Sequence, residues 1–146
     1  MKKRKNYAYI DGSFNPRTNT YGWGGFIMDQ NGKKHTIQGY GDIAEIAKHR
    51  NVAGEIYGCA NVLFKAILLK MTEITVYYDY DGVANWPLKK WKCNNPLTEQ
   101  YAAFVQAVLS YGLKIHFQKV KSHAGNLENE EADRLAKEAV GIEIGK

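Results

Sequence analysis

Apolar and polar positions along the chain change period several times, and each change marks an element. Residues 7–14 (YAYIDGSF) alternate as a strand does, and residues 21–29 (YGWGGFIMD) read as a second strand. Asn31-Gly32 between that strand and residues 33–40 is a type I′ hairpin signal, because both positions tolerate positive φ. Residues 33–40 return as a third strand, so the opening third predicts an antiparallel meander. Over residues 51–70 the period becomes helical, with Ile56, Ala60, Leu63, Phe64 and Ile67 on one face and Asn51 as N-cap. Residues 73–79 (EITVYYD) are β-branched and aromatic, a fourth strand. A short helix follows over residues 82–86, stopped by Pro87. Pro96 opens another helix, with Ala103, Phe104, Ala107 and Val108 inward and Gly112 past its end. Residues 113–120 alternate as a fifth strand, and residues 129–140 form a last helix closed by Gly141.

The order βββαβ(α)αβα predicts an α/β fold: a mixed five-stranded sheet, three antiparallel strands followed by alternating strands and helices, with helices on its faces. The 146 residues suit one domain over residues 7–146 behind a basic N-terminal tail of residues 1–6.

Composition changes this picture little. Apolar residues make up 45% and charged residues 24%, as in ordinary globular proteins. No run approaches the ~20 apolar residues of a membrane span. The basic start at Met1–Lys5 has no apolar segment after it, so a cytoplasmic protein is expected rather than a secreted one. Cys59 and Cys93 lack metal-ligand spacing, and Cys59 sits in an apolar helical pattern as a core residue. The net charge of +5 suits a polyanionic partner, without requiring one.

The chemistry lies in the acids. Asp11 falls near the end of the first strand and Asp79 ends the fourth. Glu55 and Asp133 each lie about one turn into a helix. In α/β sheets, sites collect at strand ends and the adjoining helix starts. If the first and fourth strands are neighbours, Asp11 and Asp79 converge. Such a cluster of hard oxygens suits magnesium. Fifteen acids occur in the chain, so each also has an ordinary reading: a solvated carboxylate, or for Glu55 and Asp133 a charge favoured by a helix dipole.

Five motifs in order carry a family resemblance: Tyr9-Ile10-Asp11-Gly12-Ser13; Asn51-Val52-Ala53-Gly54-Glu55; Tyr78-Asp79; Val120-Lys121-Ser122-His123-Ala124-Gly125; and Asn129-Glu130-Glu131-Ala132-Asp133-Arg134-Leu135-Ala136. Together they resemble the ribonuclease H family, type 1, in its bacterial branch, from about Tyr7 to Val140. The resemblance implies a ribonuclease H-like fold and an endonuclease that cleaves the RNA strand of RNA–DNA hybrids, leaving 5′-phosphate and 3′-hydroxyl ends. It implies Asp11, Glu55, Asp79 and Asp133 as ligands to two Mg2+ ions, for which Mn2+ substitutes, and His123 as a mobile helper in proton transfer or product release.

The substrate is expected to touch several further residues. Asn51 falls where the family contacts the RNA strand, near 2′-hydroxyl recognition. Gly12, Ser13 and Asn15 follow the first aspartate and either face phosphates or serve as turn residues. Trp86, Lys89, Lys90, Trp91 and Lys92 interleave aromatic and basic side chains beside a phosphate track, a shortened form of the longer basic handle of some members. Many members carry glutamine two residues after the third carboxylate; Asp81 stands there instead. A monomer is expected. Two rival readings share the fold: a hybrid-binding module without catalysis, and a related nuclease acting on DNA.

Overall fold

Strands β1 (Tyr7–Asn15), β2 (Thr20–Met28), β3 (Lys34–Gly41), β4 (Glu73–Tyr78) and β5 (Lys114–Lys119) form one sheet in the order β3-β2-β1-β4-β5. The computed structural model describes residues 5–121 and 126–142. β1 pairs antiparallel with β2, and β2 with β3; β1 and β4 run parallel, as do β4 and β5. The strands are joined and covered by helices α1 (Ala44–Ala47), α2 (Asn51–Leu68), α3 (Gly82–Asn85), α4 (Pro96–Tyr111) and α5 (Leu127–Ala139). The mixed sheet is the one expected from the sequence; the single turn α1 is an addition to it. Among the described residues no helix is long and apolar enough to cross a membrane.

Each face of the sheet has its own core. Ala8 and Ile10 of β1, Ile27 of β2, and Ile74 and Val76 of β4 pack against Cys59, Val62 and Leu63 of α2 and Val105 of α4. On the opposite face Tyr9 and Phe26 pack against Ala132 of α5. The two-residue period of β1 therefore sends alternate side chains to different helices.

Several local expectations are corrected. Residues 29–33 form a longer hairpin loop, in which Gly32 N donates to Asp29 O at 2.9 Å and only Gly32 of the pair takes positive φ. Asp29 Oδ1 holds the N–H groups of Asn31 and Lys33, both at 2.9 Å, and this side-chain anchor replaces the type I′ geometry. In α2 the buried stripe runs through Ile56, Cys59, Val62 and Leu63, leaving Phe64 48% exposed. In α4 it runs through Tyr101, Val105 and Val108, with Ala103 and Ala107 exposed. The Tyr101 hydroxyl donates to Val83 O at 2.6 Å, which sets the rotation of α4. The start of α5 lies two residues earlier than expected, where Asn126 Oδ1 accepts from Glu128 N and Asn129 N.

Two glycines let the acid-bearing helices press onto the sheet. A Cβ on Gly12 would lie 2.3 Å from Glu55 N and 2.7 Å from Asn51 O, so only glycine admits α2 at this distance. A Cβ on Gly24 would lie 2.3 Å from Ala136 N, and α5 docks there.

Candidate active site

The parallel pairing of β1 and β4 aligns Tyr9 with Tyr77. Continued two residues, that register sets Asp11 beside Asp79, just past the end of β4. Glu55 reaches the same place from α2, because Gly12 lets the helix close on β1. One carboxylate oxygen from each of Asp11, Glu55 and Asp79 lies within 4.8 Å of the others. Gly12 N donates to Asp11 Oδ1 at 2.9 Å and to Glu55 Oε1 at 3.0 Å. Glu55 Oε2 is buried and accepts no hydrogen bond.

Burial, with mutual charge after it, disfavours ionisation of Asp11 and Glu55. Burial pushes the Asp11 carboxyl up to about 7; a hydrogen bond shared with the Glu55 carboxyl opposes this most, the charge of Asp79 adds to the shift, and the Gly12 N–H opposes it. Burial raises Glu55 well above the usual carboxylate range, with the charge of Asp11 next in importance. A buried carboxylate oxygen without a donor, beside two further hard oxygen ligands, is the environment a divalent cation relieves. The residues present fit such an ion.

The cluster opens into a pocket of about 310 Å³ lined also by Gly12, Asn51, Tyr80, Asn126, Asn129, Glu130 and Asp133. Asp133 therefore reaches the site, but its Oδ2 pairs with Lys137 Nζ at 3.0 Å, one turn on along α5. It lies deeper in its helix than its sequence reading placed it: the first-turn acids of α5 are Glu128 and Glu130. Likewise α2 carries no acid in its first turn, so its dipole does not account for Glu55.

Asn51 is exposed at the pocket rim as the first residue of α2 and makes no capping hydrogen bond. The expected N-cap position falls instead on Arg50, held at φ 56° with its guanidinium 4.7 Å from the centre of the Phe14 ring. Ser13 is buried, and neither Ser13 nor Asn15 lines the pocket. Asn15 Nδ2 donates to Val140 O at 2.8 Å and its Oδ1 accepts from Arg17 N at 3.0 Å, a use that ties β1 to the end of α5.

The aromatic and basic segment adjoins the pocket through Tyr80, whose ring lies 5.9 Å from Trp86 and 6.2 Å from Trp91. The two tryptophans meet edge to face at 5.5 Å. Lys89, Lys90 and Lys92 are exposed around them. Asp81 is paired with Lys119, so its charge is locally compensated. His35 pairs with Asp29 at 3.0 Å and His116 with Glu73, both away from the pocket. His123 lies outside the described residues. The sequence pattern does not point to Tyr80 or Asn126, and it holds Asn129 and Glu130 only as members of the last motif, with no role of their own. Their spacing of four and three residues before Asp133 is the signal that sets both on its side of the helix.

The family model for RNase H matches residues 3–141. The chain belongs to the ribonuclease H family. Ribonuclease H of Cereibacter sphaeroides is 31% identical to it, over 90% of this chain and 91% of that protein. Ribonuclease H of Francisella tularensis subsp. novicida is also 31% identical, over 99% and 97%. The fold is shared with RNase H1 of Halobacterium salinarum (TM-score 0.73, 21% identity, 93% and 97% covered). It is shared too with LC11-RNase H1, solved in complex with RNA/DNA hybrid (TM-score 0.72, 16% identity, 93% and 99% covered). The chain is thus a ribonuclease H enzyme, and three of its carboxylates converge in a group that could hold a metal ion.

Proposed function

We propose that the protein is an endonuclease that hydrolyses the RNA strand of RNA–DNA hybrids, with Asp11, Glu55, Asp79 and Asp133 as ligands to two Mg2+ ions, and leaves 5′-phosphate and 3′-hydroxyl ends. The observation that carries this reading is the meeting of three carboxylates within 4.8 Å around a buried Glu55 oxygen that has no donor. Paired divalent cations supply activation of the attacking water and stabilisation of the leaving 3′ oxygen.

The chain's own groups prepare that chemistry. Gly12 N–H holds Asp11 and Glu55 in fixed orientation, so the site is organised before substrate arrives. Asp133, paired here with the Lys137 ammonium, would complete the ligand set from α5. Asn51, exposed at the rim, reads 2′-hydroxyls of the RNA strand. Gly12 lines the pocket wall beside the substrate. Trp86 and Trp91, with Lys89, Lys90 and Lys92, receive the DNA strand. His123 relays protons at the scissile phosphate. The solved hybrid complex of LC11-RNase H1 supports the substrate assignment. The protein works as a cytoplasmic monomer.

Cleavage of matched RNA–DNA hybrid, duplex DNA and duplex RNA tests the proposal, with Mg2+, Mn2+ or chelator present. Cleavage confined to the hybrid's RNA strand and abolished by chelator is expected. Binding of hybrid without cleavage, or cleavage of duplex DNA in preference, overturns it. Ligation of the products with and without prior phosphorylation identifies their ends.

A further inference from the structure

Glu55 Oε2 has a companion. Among the described residues two buried side-chain atoms make no hydrogen bond, Glu55 Oε2 and Asn129 Oδ1, and both residues line the same pocket. Asn129 is only 6% exposed. Its backbone N–H is already taken by Asn126 Oδ1 at 3.0 Å, so the start of α5 is completed without help from its side chain. Buried amide oxygens are almost always paired, and one that is not calls for a ligand. Asn129 carries no charge and stands on α5, across the pocket from the three carboxylates contributed by β1, α2 and the end of β4.

We propose that Asn129 is a positioning residue whose Oδ1 accepts a hydrogen bond from a water in the hydration shell of a divalent cation held by the carboxylate cluster. The inference rests on the metal-dependent reading above. Magnesium gives up its waters reluctantly, so groups around it act largely by holding those waters. A water fits an oxygen covered this deeply; a nucleic-acid strand meets the exposed rim, where Asn51 stands. The amide accepts without adding another negative charge to a pocket where three carboxylates already converge. Asn129 precedes Asp133 by one turn on α5, so the two line the pocket from one helix face.

Calorimetric titration of the substrate-free protein with Mg2+ tests this, using wild type, Asn129→Leu and Asn129→Asp. Leucine has nearly the shape of asparagine and no acceptor. Asn129→Leu should bind Mg2+ about 3- to 10-fold more weakly, the worth of one hydrogen bond. Its metal-free thermal midpoint should hold or rise, because an unpaired oxygen has gone. In hybrid cleavage, the Mg2+ concentration for half-maximal rate should rise while KM for hybrid stays unchanged. Asn129→Asp keeps the oxygen and should bind Mg2+ at least as tightly as wild type. Wild-type Mg2+ affinity in Asn129→Leu, or a raised hybrid KM with unchanged Mg2+ affinity, overturns the inference. If Asn129→Leu does not fold, weaker Mg2+ binding by Asn129→Asp overturns it. Should wild type cleave hybrid while both variants match its Mg2+ affinity, only this inference fails. Wild type that neither binds Mg2+ nor cleaves hybrid removes the functional reading as well.

Discussion

Asp11 Oδ1 and Glu55 Oε1 accept the same backbone N–H, that of Gly12, at 2.9 and 3.0 Å. One donor thus locks a strand carboxylate to a helix carboxylate, and the donor itself lies 43 residues from Glu55 in sequence. The bond opposes but does not cancel the effect of burial, which leaves Asp11 at about 7.

Metal-free stability should therefore depend on pH in a definite direction. The Asp11 pKa rises from 3.8 to about 7 on folding, so between those values the folded state binds more protons than the unfolded state. Stability must then fall as pH climbs through that window. Glu55, also raised, acts in the same direction. Thermal midpoints measured in chelator should decrease from about pH 4 to about pH 7, and Mg2+ should restore them at neutral pH. Asp11→Asn keeps the acceptor for Gly12 N–H but carries no charge. It should flatten the decline, raise the metal-free midpoint at pH 7 and remove most cleavage. Full activity of this variant in Mg2+ would withdraw Asp11 from the site.

Gly12→Ala should be among the most damaging single-methyl additions in the chain. The new Cβ would meet backbone atoms at 2.3 and 2.7 Å, which cannot rotate away. Overpacking of this kind typically costs about 1–3 kcal/mol and here should reach the upper end or exceed it. Urea unfolding should show the loss. A near-wild-type midpoint would mean that α2 can retreat from β1 cheaply.

His123→Ala should separate a proton helper from the metal ligands. Turnover should fall by about 10²–10⁴-fold yet remain measurable, with Mg2+ affinity unchanged. Single-turnover kinetics at saturating hybrid make the measurement. Wild-type turnover would return His123 to an ordinary loop position.

Neutralising Lys89, Lys90 and Lys92 together should weaken hybrid binding and flatten its salt dependence. Each lost phosphate contact lowers the slope of log K against log salt by about 0.9 in B-form DNA. The titration belongs in the Asp11→Asn background, where cleavage does not intrude. An unchanged slope would place the DNA strand away from the Trp86–Trp91 edge.

Lys137→Met should leave the fold nearly unchanged, because a pair this exposed, at one helical turn, contributes only about 0.3–0.5 kcal/mol. It should lower the Mg2+ concentration needed for half-maximal cleavage, since Asp133 no longer has a resident ammonium to exchange. A higher requirement would show that Lys137 serves the substrate instead.

The sequence by itself determined the five strands, every helix but the single turn α1, and their order, because a two-residue period over residues 7–14 and a helical period over residues 51–70 are local properties of the backbone. It also singled out Asp11, Glu55 and Asp79, which the structure brings together. Local pattern did not decide which stripe of α2 or α4 is buried. Phe64 points outward because long-range packing of Cys59, Val62 and Leu63 against Ile10 and Ile74 outweighs the affinity of one aromatic ring for the core. Nor did it reveal Asn15 binding Val140 O, the Lys119 partner of Asp81 or the unpaired oxygen of Asn129. The first and last depend on α5 docking against Gly24, and the Asp81 pair on β4 lying beside β5. Tertiary structure alone decides which polar atoms meet a partner and which are left waiting for a ligand, because hydrogen bonds depend on distances of a few tenths of an ångström that no residue pattern carries.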